Sequence, residues 1–211
     1  MAIKPILFNT EMVQAILDGR KSCTRRLVKF LPGENPQWTG YIRDELMLYN
    51  GKNEPCIRRS PYQPGDILYV RETWHEYAKR VGKGENCHLE KFYGYRSSIA
   101  NSEDANEPWR PSFFMPKEAA RIWLKVTDIN LKRLQDITED EAKAEGANWK
   151  NGKNVGIEEK MNRTAIERFA EIWDGTISKT NLYRYGWKAN PWVYVIKFER
   201  CEKPEGWTNE R

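Results

Sequence analysis

Residues 19–26 read GRKSCTRR and carry the strongest local signal in the sequence. Apolar residues recur at helical spacing over 11–18, and Gly19 is a typical residue after a helix end. The stretch therefore places a lysine, two hydroxyls and a thiol just beyond a helix C-terminus. If the chain is extended here, Lys21 and Thr24 face opposite sides of a strand, so joint chemistry requires a bend. A structural interpretation stays open, in which the first two basic residues complement the helix dipole and Thr24 begins a strand.

The same stretch opens a basic block, residues 20–29, with the sequence RKSCTRRLVK and no acidic residue. Its cationic residues are Arg20, Lys21, Arg25, Arg26 and Lys29, while the whole chain has a net charge of +5. Such a block suits a phosphate-bearing partner. A solvated cationic face is the alternative, and charge alone does not separate the two.

The chain has 211 residues, of which 39% are hydrophobic and 31% charged, and its mean hydropathy is −0.82. This composition indicates one domain, 1–211, with a modest core and insertions near 32–63 and 75–110. No apolar run approaches the roughly 18 residues of a membrane span. The apolar stretch near the N-terminus is shorter than that of a signal peptide, and no small-residue cleavage site follows it. We therefore expect a cytoplasmic protein without a membrane partner.

Metal and cofactor motifs are missing from the sequence. The four cysteines form no CxxC pair, and neither histidine completes a zinc-ligand spacing. The sequence also lacks GxGxxG, P-loop and HExxH motifs. The sequence predicts neither a metal nor a cofactor.

Several separated strands and few helices are predicted. Alternating or β-branched runs indicate strands at 4–8, 67–74, 120–130 and 191–200. Helices are predicted at 11–18, after the capping box that begins at Thr138, and over 164–173. This pattern favours an α+β, mainly β, fold built on a small barrel or a strongly bent sheet.

Three further side chains are candidates for a binding or catalytic role. Glu145 lies in the last turn of a predicted helix, where the dipole disfavours an anion, so it has either a role or a solvated position. Glu72 could line a cleft and Trp74 could stack on a base. Alternatively Trp74 belongs to the core, which its size favours, and Glu72 pairs with Arg71 on the strand surface.

GRKSCTRR resembles the G-x-K-x-x-T-x-R signature of ASCH (activating signal cointegrator homology) domains, which belong to the PUA-like superfamily. Five further segments occur in the order of that family: PILF, PGDILYVRETW, ARIWLKVTDI, LQDITEDEAKAEGA and NPWVYVIKFER. Two of them, PGDILYVRETW and NPWVYVIKFER, are similar to a prophage-encoded branch. The resemblance implies a small PUA-like β-barrel with flanking helices and two long insertions, in a protein of the bacterial host cytoplasm.

The resemblance implies two activities. Many ASCH domains are presumed to bind RNA, and some bacterial members are amidohydrolases that act on N4-acetylcytidine. Carried over, their catalytic residues fall on Lys21, Thr24 and Glu145. Thr24 would be the nucleophile, Lys21 the base, and Glu145 would orient Lys21 or relay a proton. Arg26 or backbone amides could stabilise the oxyanion, and Cys23 is a second candidate nucleophile because nearby cations favour a thiolate.

The leading hypothesis is therefore a protein that binds RNA or a modified nucleobase through a basic cleft around Arg20–Lys29, aided by Glu72 and Trp74. The first alternative is hydrolysis of an N4-acylated cytosine derivative. The second is a phage structural or assembly protein with an inactive pocket. We expect Lys21, Thr24 and Glu145 to share one pocket. We also expect 120–129 to pair with 191–199 in a curved, mostly antiparallel sheet, and helix 11–18 to cover an open end or flank of the barrel.

Overall fold

The computed structural model describes residues 1–30, 34, 36–42, 45–56, 60–98, 108–147 and 164–205. Its strands are β1 (Ile3–Leu7), β2 (Cys23–Leu27), β3 (Pro36–Ile42), β4 (Glu45–Asn50), β5 (Pro55–Cys56), β6 (Ile67–Arg71), β7 (Trp74–Val81), β8 (His88–Tyr95), β9 (Trp123–Arg133) and β10 (Trp192–Cys201). Its helices are α1 (Thr10–Leu17), α2 (Glu139–Ala144), α3 (Ala165–Thr176) and α4 (Leu182–Tyr185). Strand residues outnumber helical residues, which confirms the predicted α+β, mainly β, fold class.

The chain folds into two compact units, each built from separate stretches of sequence. The first contains Met1–Gly19, Asp66–Lys125 and the residues from Arg200 onward. The second contains Arg20–Gly65 and Val126–Glu199. The whole basic block and Glu145 therefore belong to the second unit. That the chain is one domain stays a prediction.

The largest sheet has the strand order β1–β6–β9–β10–β2. β1 runs parallel to β6, while β6 is antiparallel to β9 and β10 is antiparallel to β2. Because β9 and β10 are neighbours, the predicted pairing of these segments in one mostly antiparallel sheet is confirmed. The predicted closed barrel is wrong for the described residues, since the sheet is open and ends at β1 and β2. The edge strand β1 contains Pro5, which has no N–H to donate to a further strand.

The two predicted insertions form small sheets of their own. β3, β4 and β5 make one antiparallel sheet, and β7 and β8 make a long two-stranded ribbon. The single strand predicted at 67–74 is interrupted after Arg71, and the chain resumes as β7 at Trp74. The interruption lets β7 leave the main sheet and pair with β8.

The three predicted helices begin within one residue of their predicted starts, whereas the short α4 was not predicted. Asn9 caps α1, and Thr138 opens α2 with a reciprocal capping box that involves Glu141. Helix α1 buries Val13, Ala15 and Ile16. Its predicted place over an open end or flank of the barrel stays a prediction. In the second unit, α2, α3 and β10 contribute to a core of Leu134, Ile137, Ala142, Ala147, Ala165, Phe169, Trp173, Val193 and Val195. Among the described residues, no helix is both long and apolar enough to cross a membrane.

Candidate active site

The chain after α1 turns sharply at Gly19, whose φ of 72° lies in the left-handed region that favours glycine. The segment that follows is held between α2 and β10. The Ser22 amide donates to the Ala144 carbonyl at 2.9 Å, and the Phe198 amide donates to the Ser22 carbonyl at 2.9 Å. Lys21 and Glu145 form an isolated antiparallel bridge beside these bonds. Backbone pairing therefore places the basic block against the C-terminal end of α2.

Lys21 is a buried cation paired with a buried anion. Its Nζ donates to Glu145 Oε2 at 2.7 Å, to the Glu145 carbonyl at 2.9 Å and to the Cys23 carbonyl at 2.7 Å. The two side chains are 1% and 5% exposed. Burial has the largest effect on the Lys21 amine and lowers its pKa, while the Glu145 carboxylate acts in the opposite direction.

Arg25 lies beside this pair and contacts two carboxylates of α2. Its Nη1 donates to Glu145 Oε1 at 3.1 Å, and its Nη2 donates to Glu141 Oε2 at 2.6 Å. Lys132 donates to the other Glu141 oxygen at 2.7 Å. Lys21, Arg25 and Lys132 are thus joined through Glu141 and Glu145 into one network, which we call the ion cluster.

Thr24 and Arg26 lie on the face of β2 opposite to Cys23 and Arg25, as the two-residue period of a strand requires. Arg26 Nη1 donates to Thr24 Oγ1 at 2.9 Å and to the Arg25 carbonyl at 3.1 Å. Thr24 is only 2% exposed. Burial lowers the pKa of the half-buried Arg26, while the Glu145 and Tyr62 side chains counteract it. Arg26 is therefore within electrostatic reach of Glu145 and also holds the Thr24 hydroxyl.

The structure thus brings Lys21 and Glu145 into direct contact and places Thr24 next to Arg26. An open groove of about 340 Å³ lies beside the ion cluster. Its walls include Ser22, Cys23 and Glu141 but not Thr24. A pocket shared by all three predicted catalytic residues stays a prediction.

Cys23 points toward α2, where its Sγ lies 3.8 Å from the Glu141 carbonyl oxygen. Burial raises the pKa of this thiol to about 12, and Glu145 adds to the rise although Lys21 and Arg25 oppose it. The expectation that the cations produce a thiolate is therefore wrong, because the loss of solvation outweighs them.

The basic block does not form one exposed cationic face. Lys21 and Arg25 are buried in the ion cluster, Arg20 and Arg26 are half-buried, and Lys29 is exposed. Any contact that the basic block makes with phosphates through its cations would therefore depend on Arg20, Arg26 and Lys29.

Glu72 and Trp74 both lie in the first unit and are buried. The Glu72 carboxylate, 1% exposed, accepts hydrogen bonds from Arg121 Nε at 2.9 Å and from the Ser97 hydroxyl. The expectation that Glu72 pairs with Arg71 on the strand surface is wrong, because the Glu72 carboxylate is buried and pairs with Arg121. Trp74 is 3% exposed and packs in a cluster with Met115, as the core interpretation expects.

Sequence reasoning missed Glu141 and Lys132 as members of the site. Glu141 belongs to the capping box that begins at Thr138, and the sequence indicated no further role for it. A signal was nevertheless present, since Glu141 and Glu145 are four residues apart on one helical face, where like charges repel. Such a pair predicts a cation between them, and Arg25 fills that place.

Comparisons with known proteins add little to this geometry. No family model matches the chain, and no curated protein matches it. A solved structure of an ASCH domain from Lactobacillus crispatus JV V101 is similar, with 11% identity and a TM-score of 0.37. The similarity covers 94% of this chain and 79% of that one. At so low a similarity, the match carries no argument about function.

Proposed function

We propose that Lys21, Thr24 and Glu145 form the active site of an amidohydrolase that removes the acyl group from N4-acetylcytidine-like substrates. The observation that carries the proposal is the buried Lys21–Glu145 pair, with 2.7 Å between Nζ and Oε2. A buried ion pair is weak evidence for stability, whereas titratable groups perturbed by burial cluster at functional sites. The substrate class follows from the resemblance to ASCH domains, in which the signature at 19–26 supplies Lys21 and Thr24 and the segment LQDITEDEAKAEGA supplies Glu145.

The first half of the reaction forms an acyl-enzyme. In the reacting state Lys21 has passed one proton to its partner Glu145, so the amine is neutral. Thr24 Oγ then attacks the acyl carbonyl carbon, its proton passes to the Lys21 amine, and the carbonyl oxygen becomes an oxyanion. Arg26, already 2.9 Å from Thr24 Oγ1, donates to that oxyanion. The C–N4 bond then breaks, and the departing nitrogen takes the proton from Lys21.

In the second half, water attacks the Thr24 ester and gives up a proton to Lys21. The ester bond breaks, the carboxylic acid leaves, and Thr24 Oγ recovers its proton. Burial lowers the pKa of Lys21 and so favours transfer of its proton to Glu145. Glu145 Oε2, 2.7 Å from Lys21 Nζ, keeps the amine oriented and returns the proton when the product has left.

The test is incubation of the purified protein with N4-acetylcytidine, followed by chromatography for cytidine and acetate. We expect hydrolysis by the wild type and none by Thr24→Ala or Lys21→Met. The exposed Ser22 provides a matched control, because Ser22→Ala also removes a hydroxyl from this segment but leaves Thr24 in place. Full activity in Thr24→Ala would exclude the threonine nucleophile, and an inactive wild type would exclude this substrate.

Binding of RNA or a modified nucleobase without hydrolysis is the second candidate, in the bacterial cytoplasm that the prophage resemblance implies. The exposed position of Lys29 at the end of β2 favours it. Replacing Arg26 and Lys29 by Ala should weaken binding of single-stranded RNA and reduce the salt slope by roughly 0.7 per lost phosphate contact. The control is Lys143→Ala, on the exposed face of α2. If the protein neither hydrolyses N4-acetylcytidine nor binds RNA, the remaining candidate is a role in phage structure or assembly.

A further inference from the structure

Arg25 links the active-site carboxylate to a second carboxylate of the same helix. We propose that Arg25 is a positioning residue, which holds Glu145 against Lys21 and is itself anchored by Glu141. The inference rests on the proposed function, because it concerns how that site is kept in its working geometry. It also gives Arg25 a role different from the substrate or nucleic-acid contact that its place in the basic block suggests.

The two oxygens of Glu145 have different partners. Oε2 accepts from Lys21 Nζ at 2.7 Å, and Oε1 accepts from Arg25 Nη1 at 3.1 Å. With a cation on each oxygen, the carboxylate plane is fixed and Oε2 stays directed at Lys21. Without Arg25, the carboxylate could rotate about its terminal bond, since that torsion is broad.

An anion in the position of Glu145 needs such a partner. Glu145 is the C-cap of α2, where the partial negative charge of the helix end repels a carboxylate. Glu141 adds a second negative charge one turn earlier on the same face. The planar guanidinium of Arg25 spans both side chains, which the single ammonium of a lysine does less well.

Glu141 connects this arrangement to the start of the helix. Its amide donates to Thr138 Oγ1 at 3.2 Å within the capping box, while Glu141 Oε2 accepts from Arg25 Nη2 at 2.6 Å. Arg25 is further held by the Phe169 ring, whose centroid lies 5.6 Å from the guanidinium carbon. The guanidinium is thus fixed from three sides: by Glu141, by Glu145 and by an aromatic ring of α3.

Steady-state kinetics with N4-acetylcytidine test the role. We expect Arg25→Lys to lower kcat by about 10- to 100-fold and to change KM less than about threefold, because a misplaced Glu145 affects the reaction and not substrate contact. In a Glu145→Gln background, Arg25→Lys should add less than about a twofold loss. Arg168→Lys, the same change at an exposed ion pair of α3, should leave both constants unaltered. A rise in KM alone, or a fully additive loss, would overturn the positioning role.

An exchange measurement separates this inference from the proposed reaction. The Ser22 amide, bonded to Ala144 at the same junction, should exchange with solvent about tenfold faster in Arg25→Lys, while β10 amides keep their protection. If the wild type shows no hydrolysis, the proposed reaction is refuted. The exchange rate of the Ser22 amide in Arg25→Lys still tests whether Arg25 positions Glu145. Unchanged Ser22 protection in folded Arg25→Lys would refute the positioning role.

Discussion

Glu145→Ala should destabilise the protein far more than the removal of an exposed acid from the same helix. The carboxylate is 5% exposed and neutralises two cations, Lys21 and Arg25, whose side chains are each 1% exposed. Removing one partner of a buried pair costs about 3–5 kcal/mol, because the other charge stays buried without compensation. Relief of the unfavourable helix dipole returns about 0.5 kcal/mol. The expected net loss in the free energy of unfolding is therefore about 2.5–4.5 kcal/mol.

Asp140→Ala is the matched control. Asp140 also belongs to α2 and pairs with Lys143 at 3.3 Å, but its side chain is 95% exposed. Exposed pairs contribute little, so this variant should lie close to the wild type. Urea unfolding at neutral pH, followed by tryptophan fluorescence, measures both variants, and equal m-values would show that the same surface is exposed on unfolding. Equal stability losses in the two variants, or a loss below about 1 kcal/mol for Glu145→Ala, would refute the buried-pair argument.

Three further predictions address other parts of the structure. Because burial raises the pKa of the Cys23 thiol to about 12, iodoacetamide at pH 9.0 should label the exposed Cys87 and leave Cys23 unmodified. Peptide mass spectrometry measures the labelling, and rapid modification of Cys23 would contradict the prediction. Burial raises the pKa of Glu141, but the Lys132 hydrogen bond and the Arg25 charge outweigh burial and hold this pKa below 4.5. The stability that the ionised carboxylate provides above pH 4.5 should therefore decline as the pH falls further. Urea unfolding curves over an acid pH series should show a smaller decline in Glu141→Gln. A Cβ at Gly94 would lie 1.8 Å from His75 Nε2, so Gly94→Ala should destabilise the protein by about 1–3 kcal/mol in thermal unfolding. Gly175→Ala, which meets no atom within 4 Å in α3, should instead be neutral or stabilising.

The sequence was sufficient for features that depend on local pattern. The capping box at Thr138, the stop at Gly19 and the alternation along β2 follow from spacing alone. That alternation puts Thr24 and Arg25 on opposite faces of β2. The unusual position of Glu145 at a helix end also marked a residue with buried partners.

Features that depend on distant parts of the chain were not predictable in this way. The basic block gave no sign that Arg25 is buried, because its partners Glu141 and Glu145 lie more than 100 residues later. The predicted barrel closure failed for the same reason, since whether edge strands meet depends on non-local geometry. Burial likewise reversed the expected pKa change of Cys23, as residue spacing contains no information about solvation.

The pairing of β2 with β10 has a consequence for biosynthesis. Cys23 pairs with Lys197 and Leu27 with Val193, so the strand that carries Thr24 leaves the ribosome long before its neighbour exists. Until β10 is synthesised, the backbone donors and acceptors of β2 lack their β10 partners. Helix α2 is synthesised before β10 and can already pair with Lys21. The nascent chain should therefore pass through a stage in which half of the site has formed while one strand edge is open to wrong pairings.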